Sequence, residues 1–384
     1  MHGYGGKRTA LVLSAGGARA AYEVGVLKAL SQLRRSPASN PFPLLCGVSG
    51  GALNAAILAL AAENFTSAVE GLEAFWLALR SSDVYRVDAF GVAASGARWL
   101  AGLVGGWMFG KGPEAFLDNR PLRRHLAQSL DFSRLEPAIA AHSLHALAIT
   151  CSGYGSGQCV SFFQGRADLD PWHRPQRGGA HVSLNVDHVM ASMAIPFLFP
   201  AVRLHREYFG DGVMRELAPL SPAIHLGADR VLVISTGPMA SREGDRNPAQ
   251  GHPSLAETAG HLLAGIYVDS LSADLERMQQ LNRLLTCLPA ERRGEAGLAL
   301  REIDLLVIEP SQRLDHLALA HLQSLAWPLR RLLSGIGLGK GSDGAFASYL
   351  LFEPSYIRAL IDLGYRDAMV RREELAAFMR LEVT

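Results

Sequence analysis

The stretch GVSGGALNAA, residues 47–56, is the part of the sequence that decides the fold. It contains the pattern G-x-S-x-G, with Ser49 between Gly47 and Gly51, directly after the apolar run PLLC. Glycines flank a serine in this way when a strand turns sharply into a helix, because larger side chains would clash with neighbouring strands. The Ala-rich run at 51–63 predicts that helix. Ser49 is therefore a candidate nucleophile, and a polar residue in a small-residue turn is the alternative.

Short apolar runs that favour strands alternate with helical stretches along the chain. The pattern predicts strands at 9–14, 43–49, 144–152, 158–164, 229–237 and 303–310, and helices at 18–33, 51–63, 187–200 and 254–288. Strands that alternate with helices favour an α/β layered fold with a mainly parallel sheet. Repeats and low-complexity segments are absent from the sequence.

Composition narrows the classes of partner. The 384 residues are 49% hydrophobic, enough for a large core, and 37 basic against 36 acidic residues give a net charge of +1. This balance gives no electrostatic reason to expect a nucleic-acid partner. The four cysteines have no paired metal spacing and are too scattered for a disulfide framework, which fits a reducing compartment. We therefore expect no metal site and a cytoplasmic protein, with peripheral membrane contact left open.

Two segments bear on secretion and membranes. Residues 1–21 have the basic residues and apolar run of a signal peptide, but Arg19 and a glycine pair interrupt the segment, so a buried first strand and a loop are expected. Residues 89–110 are mostly apolar and long enough to span a bilayer, yet Arg98 lies near their middle, where a charge is costly. We expect a lid or interfacial flap there, with a buried helix pair as the alternative.

A second glycine-rich stretch, LSAGGARAAYEVGV (13–26), reads as a strand, a turn and a helix. The backbone N–H groups of Gly16, Gly17 and Ala18 would point outward at the helix start. Such groups stabilise an oxyanion, helped by the positive end of the helix dipole. Arg19 would either brace this loop or add positive potential.

Phosphate-binding loops are the rival interpretation of such glycines. The loop at 13–26 does not meet the dinucleotide pattern G-x-G-x-x-G. A later run, SGIGLGKGSDG (334–344), lacks the Gly-Lys-Ser/Thr order of a nucleotide-binding loop, since Gly341 follows Lys340. We expect a flexible connector there and no cofactor.

The base that would take the serine proton is a separate question. Histidines that could complete a Ser-His-Asp triad are His225, His252, His261, His316 and His321, but none lies in a glycine-bounded loop at a strand end. Asp211 does: it follows a short aromatic strand in REYFGDGVM, between Gly210 and Gly212. Such an acid is often only a turn former. If it lay near Ser49, partial burial would raise its pKa and make it a base near neutrality.

Taken together, these stretches resemble the patatin-like phospholipase family. The likeness covers roughly residues 8–237, and the later strand IDLLVIEP is similar to the sheet extension of bacterial members. The residues that carry it are SAGGARAAYEVGVLKAL, GVSGGALNAA, ASMAIPFLFPAV and YFGDGVMRELAPLSPAIHLGADRVLVIS.

The resemblance implies a three-layer α/β/α fold and lipid acyl hydrolysis by a Ser–Asp dyad without histidine. Ser49 matches the nucleophile, on an elbow with Gly47 and Gly51, and Asp211 matches the base. The oxyanion loop is matched by Gly16, Gly17, Ala18 and Arg19. Two positions depart from the family pattern: Ala15 replaces the first of three glycines, and Val213 stands where Gly or Ala is usual, which would narrow the space beside the base.

We therefore expect a serine lipid acyl hydrolase that forms an acyl-enzyme on phospholipid or another fatty acyl ester, with a homo-oligomer left open. Residues 8–310 would form the hydrolase domain, with the flap at 89–110, and 311–384 a helical C-terminal extension. Apolar residues that would line an acyl channel, or simply fill the core, are Ile195, Phe197, Leu198 and Phe199. The alternatives are a hydrolase with a histidine triad and a catalytically silent lipid-binding protein of the same fold.

Overall fold

A computed structural model describes residues 7–34, 39–87, 115–237, 252, 254–287, 301–335 and 344–380. The flap predicted at 89–110 lies outside the described residues, as does most of the connector predicted at 334–344. Within them, one sheet contains β1 Thr9–Leu13, β2 Leu44–Val48, β3 Ala146–Gly153, β4 Cys159–Gly165, β5 Trp172–Arg174, β6 Arg177–His181, β7 Val202–Leu204, β8 Glu207–Asp211, β9 Arg230–Ile234 and β10 Asp304–Ile308.

Half of this sheet is parallel and forms the centre of the fold. The strands β10, β9, β1, β2 and β3 lie side by side, and every pair is parallel. All residues of β1, β2, β3 and β9 are buried, as expected for parallel strands covered on both faces. Beyond β3 the sheet is mixed: β4 is antiparallel to β3, β6 is parallel to β4, and β5 is antiparallel to β6. The predicted parallel sheet is confirmed for the first half, and the mixed edge is an addition.

Helices cover both faces of the sheet. Along β1, Leu11 and Leu13 belong to one apolar cluster, whereas Ala10 and Val12 belong to another on the opposite face. The predicted three-layer fold is confirmed. The helices are α1 Ala21–Leu33, α2 Gly50–Leu60, α3 Phe65–Ala78, α4 Ser81–Val84, α5 Arg120–Ser129, α6 Leu135–Ala140, α7 Val186–Ser192, α8 Ser221–His225, α9 Leu255–Cys287, α10 Leu314–Leu319, α11 Trp327–Gly335, α12 Ala345–Leu350, α13 Pro354–Val370 and α14 Arg372–Met379, with 3-10 turns at Gly17–Ala20, Phe132–Arg134, Gly212–Met214 and Leu322–Ser324.

The helix predicted at 187–200 is shorter than expected, since α7 ends at Ser192. Pro196 is the cause, because its ring would clash with the carbonyl of Ser192 four residues earlier in a continued helix. The chain continues in tight turns, such as the bond from Leu198 N to Ile195 O. The carbonyl of Ala194, released from the helix, accepts a hydrogen bond from Asp211 N at 3.0 Å.

The C-terminal helices belong to the layer that covers the glycine-loop face. Helix α13 packs along α1 so closely that a Cβ at Gly25 would lie 2.0 Å from Ile361 O, and one at Gly364 would lie 2.1 Å from Tyr22 O. A C-terminal helical region is confirmed, whereas a domain boundary at residue 310 stays a prediction. Across the described ranges, no helix has both the length and the apolarity that a membrane crossing requires.

Candidate active site

Ser49 lies where β2 turns into α2. Its backbone has φ +54° and ψ −124°, a conformation that costs a non-glycine residue roughly 1–3 kcal/mol. The turn is held from outside the helix: Ser49 N donates to Ser192 Oγ at 2.9 Å, and Ser192 Oγ donates to the Thr150 carbonyl at 2.7 Å. Backbone strain at a residue other than glycine, at a turn from a strand into a helix, is typical of a functional position.

The register of the sheet explains why Asp211 meets Ser49. Val48, the last residue of β2, pairs with Thr150 on β3, and the next β3 residue, Cys151, pairs with Asp211. Strand β4 pairs with the other edge of β3. Strands β2 and β8 must therefore pair with the same edge of β3, one after the other along its length. Asp211 therefore fills the ladder position that β2 leaves when it turns away at Ser49.

The Asp211 carboxyl is buried and hydrogen-bonded. It accepts a hydrogen bond from Val213 N at 3.1 Å and interacts with the Ser49 side chain. Burial is the main influence and raises the pKa of Asp211 to about 7, while the interactions with Ser49 and Val213 oppose the rise. A carboxyl group with this pKa exchanges protons near neutrality, as a general base must. Val213 thus contributes a main-chain donor to the acid, rather than only a side chain beside it.

The glycine loop lies against the same turn. A Cβ added at Gly50 would come within 2.8 Å of Gly17 O, and Gly51 N donates to Ser14 O at 3.1 Å, so the loop and the elbow are in contact. Gly17 has φ +53° and begins the 3-10 turn with Ala18. The leading N–H groups of such a turn have no acceptor within it and are available to an anion.

Arg19 braces the loop through contacts with α12. It is 6% exposed, and its guanidinium donates to Ser348 Oγ at 2.6 Å and Ala345 O at 3.3 Å. The guanidinium carbon also lies 4.3 Å from the centre of the Tyr349 ring. Of the two roles expected for Arg19, the structure favours bracing, with α12 as the partner.

Sequence analysis missed a buried acid beneath the loop, Glu23 on α1. Its carboxyl accepts from Ser14 N at 2.7 Å and from Asn54 Nδ2 at 2.8 Å, which ties the residue before the glycine loop to the elbow helix. Trp76 Nε1 fixes the Asn54 amide by donating to its oxygen at 2.6 Å. Burial raises the pKa of Glu23 to about 8. The available signal was one acidic residue on an otherwise apolar face of the helix.

A second missed acid is Glu216, in the segment that follows Asp211. It is 5% exposed, and burial raises its pKa to about 8, with further rises from the negative charges of Asp211 and Asp274. A hydrogen bond with Thr150 opposes this rise. Three acids, Glu23, Asp211 and Glu216, are thus buried around the loop, the elbow and β3.

Two of the histidines considered for a triad, His225 and His321, make contacts with residues other than Ser49. His225 Nδ1 donates to Ser221 O at 2.8 Å, and its ring stacks on Trp172. His321 packs against Tyr356. Among the described residues, no group of three or more His, Cys, Asp or Glu side chains could hold a metal ion.

A model of the family described as patatin-like phospholipase matches residues 11–224, more than half of the chain. The chain belongs to the patatin-like phospholipase family. Membership supports lipid acyl hydrolysis at the level of the family, and the matched range includes the loop, the elbow and Asp211.

Other comparisons add little to this family assignment. The crystal structure of VipD from Legionella pneumophila is similar at 12% identity, over 96% of this patatin-like chain and 67% of VipD. Its TM-score of 0.33 is too low to carry an argument. No curated protein matches.

Proposed function

We propose that this patatin-like protein is a serine lipid acyl hydrolase that cleaves fatty acyl esters through a Ser49–Asp211 dyad. One observation carries the proposal: the Ser49 side chain interacts with the Asp211 carboxyl at the point where β2 and β8 both end. A serine beside an acid with a pKa of about 7 suits nucleophilic catalysis, in which an adjacent base activates the nucleophile.

Acylation begins when the Ser49 oxygen attacks the ester carbonyl carbon and Asp211 accepts its proton. The carbonyl π electrons move to oxygen, and the N–H groups of Gly16, Gly17 and Ala18 stabilise the oxyanion. The oxyanion then collapses, the bond to the leaving alcohol breaks, and Asp211 delivers the proton to that alcohol. Ser49 is left acylated, and Asp211 is ionised again.

Deacylation repeats these steps with water as the nucleophile. Asp211 accepts a proton from water while the water oxygen attacks the acyl carbon, and the same loop stabilises the second oxyanion. Collapse breaks the bond to Ser49, which regains the proton from Asp211. The products are a fatty acid and the original enzyme, with no cofactor in either half of the cycle.

The substrate in this proposal is a phospholipid or another fatty acyl ester. Of the residues considered for an acyl channel, Phe197 is 85% exposed. The other three, Ile195, Leu198 and Phe199, are buried in the apolar cluster on the glycine-loop face. This favours a core role for those three and leaves Phe197 as the residue that a substrate chain would meet first.

Replacing the nucleophile tests the proposal directly. Ser49→Ala should lower hydrolysis of phospholipids, lysophospholipids or neutral esters by about 1,000-fold or more and abolish labelling by a fluorophosphonate probe. The exposed Ser133→Ala is the matched control and should change neither. Labelling that persists in Ser49→Ala, with full hydrolysis, would reject Ser49 as the nucleophile.

Each alternative function has its own outcome in the same assays. A histidine triad would lose activity when one of the five candidate histidines, His225, His252, His261, His316 or His321, is replaced, whereas the Ser–Asp dyad would keep it. A silent lipid-binding protein would not label at Ser49 and would hydrolyse none of the three lipid classes. The free cysteines, of which Cys46, Cys151 and Cys159 are buried, support a cytoplasmic location for the enzyme.

A further inference from the structure

We propose that the β7–β8 hairpin and the residues beside it dock on an anionic phospholipid bilayer. The hairpin surface, as we call it, comprises Tyr154, Phe197, Arg203, Arg206, Tyr208 and Leu217. This inference rests on the proposed function, because docking presents the dyad to substrate lipid in a membrane.

The hairpin lies at the same end of the strands as the dyad. Strands β1, β2 and β3 are parallel, so their carboxyl ends lie together at one end of the sheet. These ends are followed by the glycine loop, Ser49 and Tyr154. The ladder between β3 and β8 ends with the pair of Gly153 and Phe209. Tyr208 therefore extends past the end of β3, where Tyr154 N donates to Tyr208 O at 3.0 Å.

Two large rings lie together on the outer face of this hairpin. Tyr208 is 55% exposed, whereas the next residue, Phe209, is buried, so the strand alternates between an outer and an inner face. Tyr154 is 56% exposed and lies over Gly210, since a Cβ there would be 2.8 Å from the Tyr154 hydroxyl. Tyrosine rings have an apolar body and a polar tip, which suits the boundary between lipid headgroups and acyl chains.

The two other apolar residues come from segments attached to Asp211. Phe197 lies in the turn after Ala194, whose carbonyl binds Asp211 N. Leu217, which is 59% exposed, follows Asp211 and Glu216 in the chain. Exposed apolar side chains thus occur in both segments that contact or follow Asp211.

Charge on the hairpin favours an anionic partner. Arg203 pairs directly with Tyr208 across β7 and β8, so the two side chains share a face, and Arg206 is exposed in the turn between them. The hairpin has two acidic residues: Asp211 is buried, and Glu207 accepts a hydrogen bond from Ser156 Oγ at 2.9 Å. Because the whole chain has a net charge of only +1, this positive excess is local. Basic residues near a surface bind the negative headgroups of phosphatidylserine-type lipids.

Vesicle flotation with the full chain carrying Ser49→Ala tests binding without hydrolysis. We expect it to bind vesicles of phosphatidylcholine plus phosphatidylserine more strongly than vesicles of phosphatidylcholine alone. Adding Arg203→Ala should weaken binding about fivefold, and Arg206→Ala about as much again. Tyr208→Glu should weaken it further, since the change removes apolar area and adds negative charge.

Leu284→Glu is the matched control for Tyr208→Glu. Leu284 is 60% exposed but lies at the opposite end of the strands from the hairpin. Its position follows from nearby Asn282, which donates to Ile303 O just before β10 begins. This variant should bind vesicles like its parent. In chains that keep Ser49, the hairpin changes should leave turnover of a soluble short-chain ester unchanged and lower hydrolysis of vesicle lipid.

These measurements separate failure of docking from failure of the proposed function. Hairpin variants that bind vesicles like the parent, or a parent that binds neither vesicle, would overturn the docking proposal. A change in oligomeric state alone would also overturn it, in favour of a second copy of the chain as the occupant. A native chain that binds vesicles through these residues but cleaves no ester would support docking and reject the proposed hydrolase.

Discussion

At the scale of single residues, the chemistry depends on where Asp211 gains and loses its proton. Burial opposes its charge, while the Ser49 hydroxyl and the Val213 N–H stabilise it, and the balance places its pKa at about 7. A carboxylate with an ordinary, lower pKa would be a weaker base, and a carboxyl with a much higher pKa would stay protonated at neutral pH and could accept no proton. Both catalysis and stability should therefore depend on pH around neutrality.

The rate of ester hydrolysis should follow ionisation of this acid. We expect kcat/KM for a soluble ester to rise as pH increases and to level off above about pH 7, because only ionised Asp211 accepts the serine proton. Asp211→Asn should lower the rate about 100-fold or more at pH 8. An exposed acid, Asp168→Asn, is the control. A rate that stays flat between about pH 5 and about pH 9, a range that brackets this pKa, would contradict the assignment of Asp211 as the base.

The same replacement should stabilise the folded protein at alkaline pH. The pKa of Asp211 is raised on folding, so its contribution to stability is complete below about pH 4 and is lost as pH rises through about 7. Asp211→Asn removes the cost of a buried charge and keeps the shape of the side chain. Its free energy of unfolding in urea should exceed that of the native chain by on the order of 4 kcal/mol at pH 8, and by much less at pH 4. The same difference in stability between the two proteins at both pH values would contradict a buried charge at Asp211.

At the scale of elements, local patterns predicted the turn and the loop, whereas pairing across the chain decided what surrounds them. The motif around Ser49 predicts a strand, a turn and a helix, and β2 and α2 confirm it. Nothing local to β8 says that it continues the edge that β2 leaves, since the register of β3 sets that position. Ser192 and Asn54 were missed for the same reason, because their partners are distant in sequence.

Crowding the glycine loop tests its role at this scale. Gly17→Ala would place a Cβ 2.4 Å from Tyr349 O at a backbone with φ +53°, so the loop must move. We expect ester turnover to fall about 100-fold or more, as when one oxyanion donor is lost.

The control for Gly17→Ala is Gly71→Ala, on α3, where an added Cβ meets nothing within 4 Å. That change should keep full turnover and stabilise the helix by about 0.8 kcal/mol. A Gly17→Ala protein that folds with normal stability and turnover would show that the loop does not hold the oxyanion.

At the scale of the whole molecule, segments far apart in sequence complete one helix layer. The helical C-terminal region was predicted from its pattern, but its position against α1 and the glycine loop was not. The close approach of Gly25 to Ile361 and of Gly364 to Tyr22 is a property of packed backbones, which no motif records. The mixed edge beyond β3 likewise depends on which strands meet, rather than on the composition of any one strand.

Truncation distinguishes a separate extension from an integral layer. A chain that ends at residue 344 lacks α12, α13 and α14, which exposes the apolar face of α1 and removes the partners of Arg19. We expect it to lose cooperative thermal unfolding by circular dichroism and all ester turnover. A truncated chain that unfolds cooperatively and hydrolyses esters would instead support a hydrolase domain that folds without the C-terminal helices.

The brace between Arg19 and Ser348 also sets an order of events during synthesis. The ribosome makes the proposed dyad and the glycine loop before it makes α12, so Gly17 and Arg19 lack their contacts with α12 until that helix emerges. We expect the proposed hydrolase activity to appear only after α12 has been translated, because the loop has no brace before then.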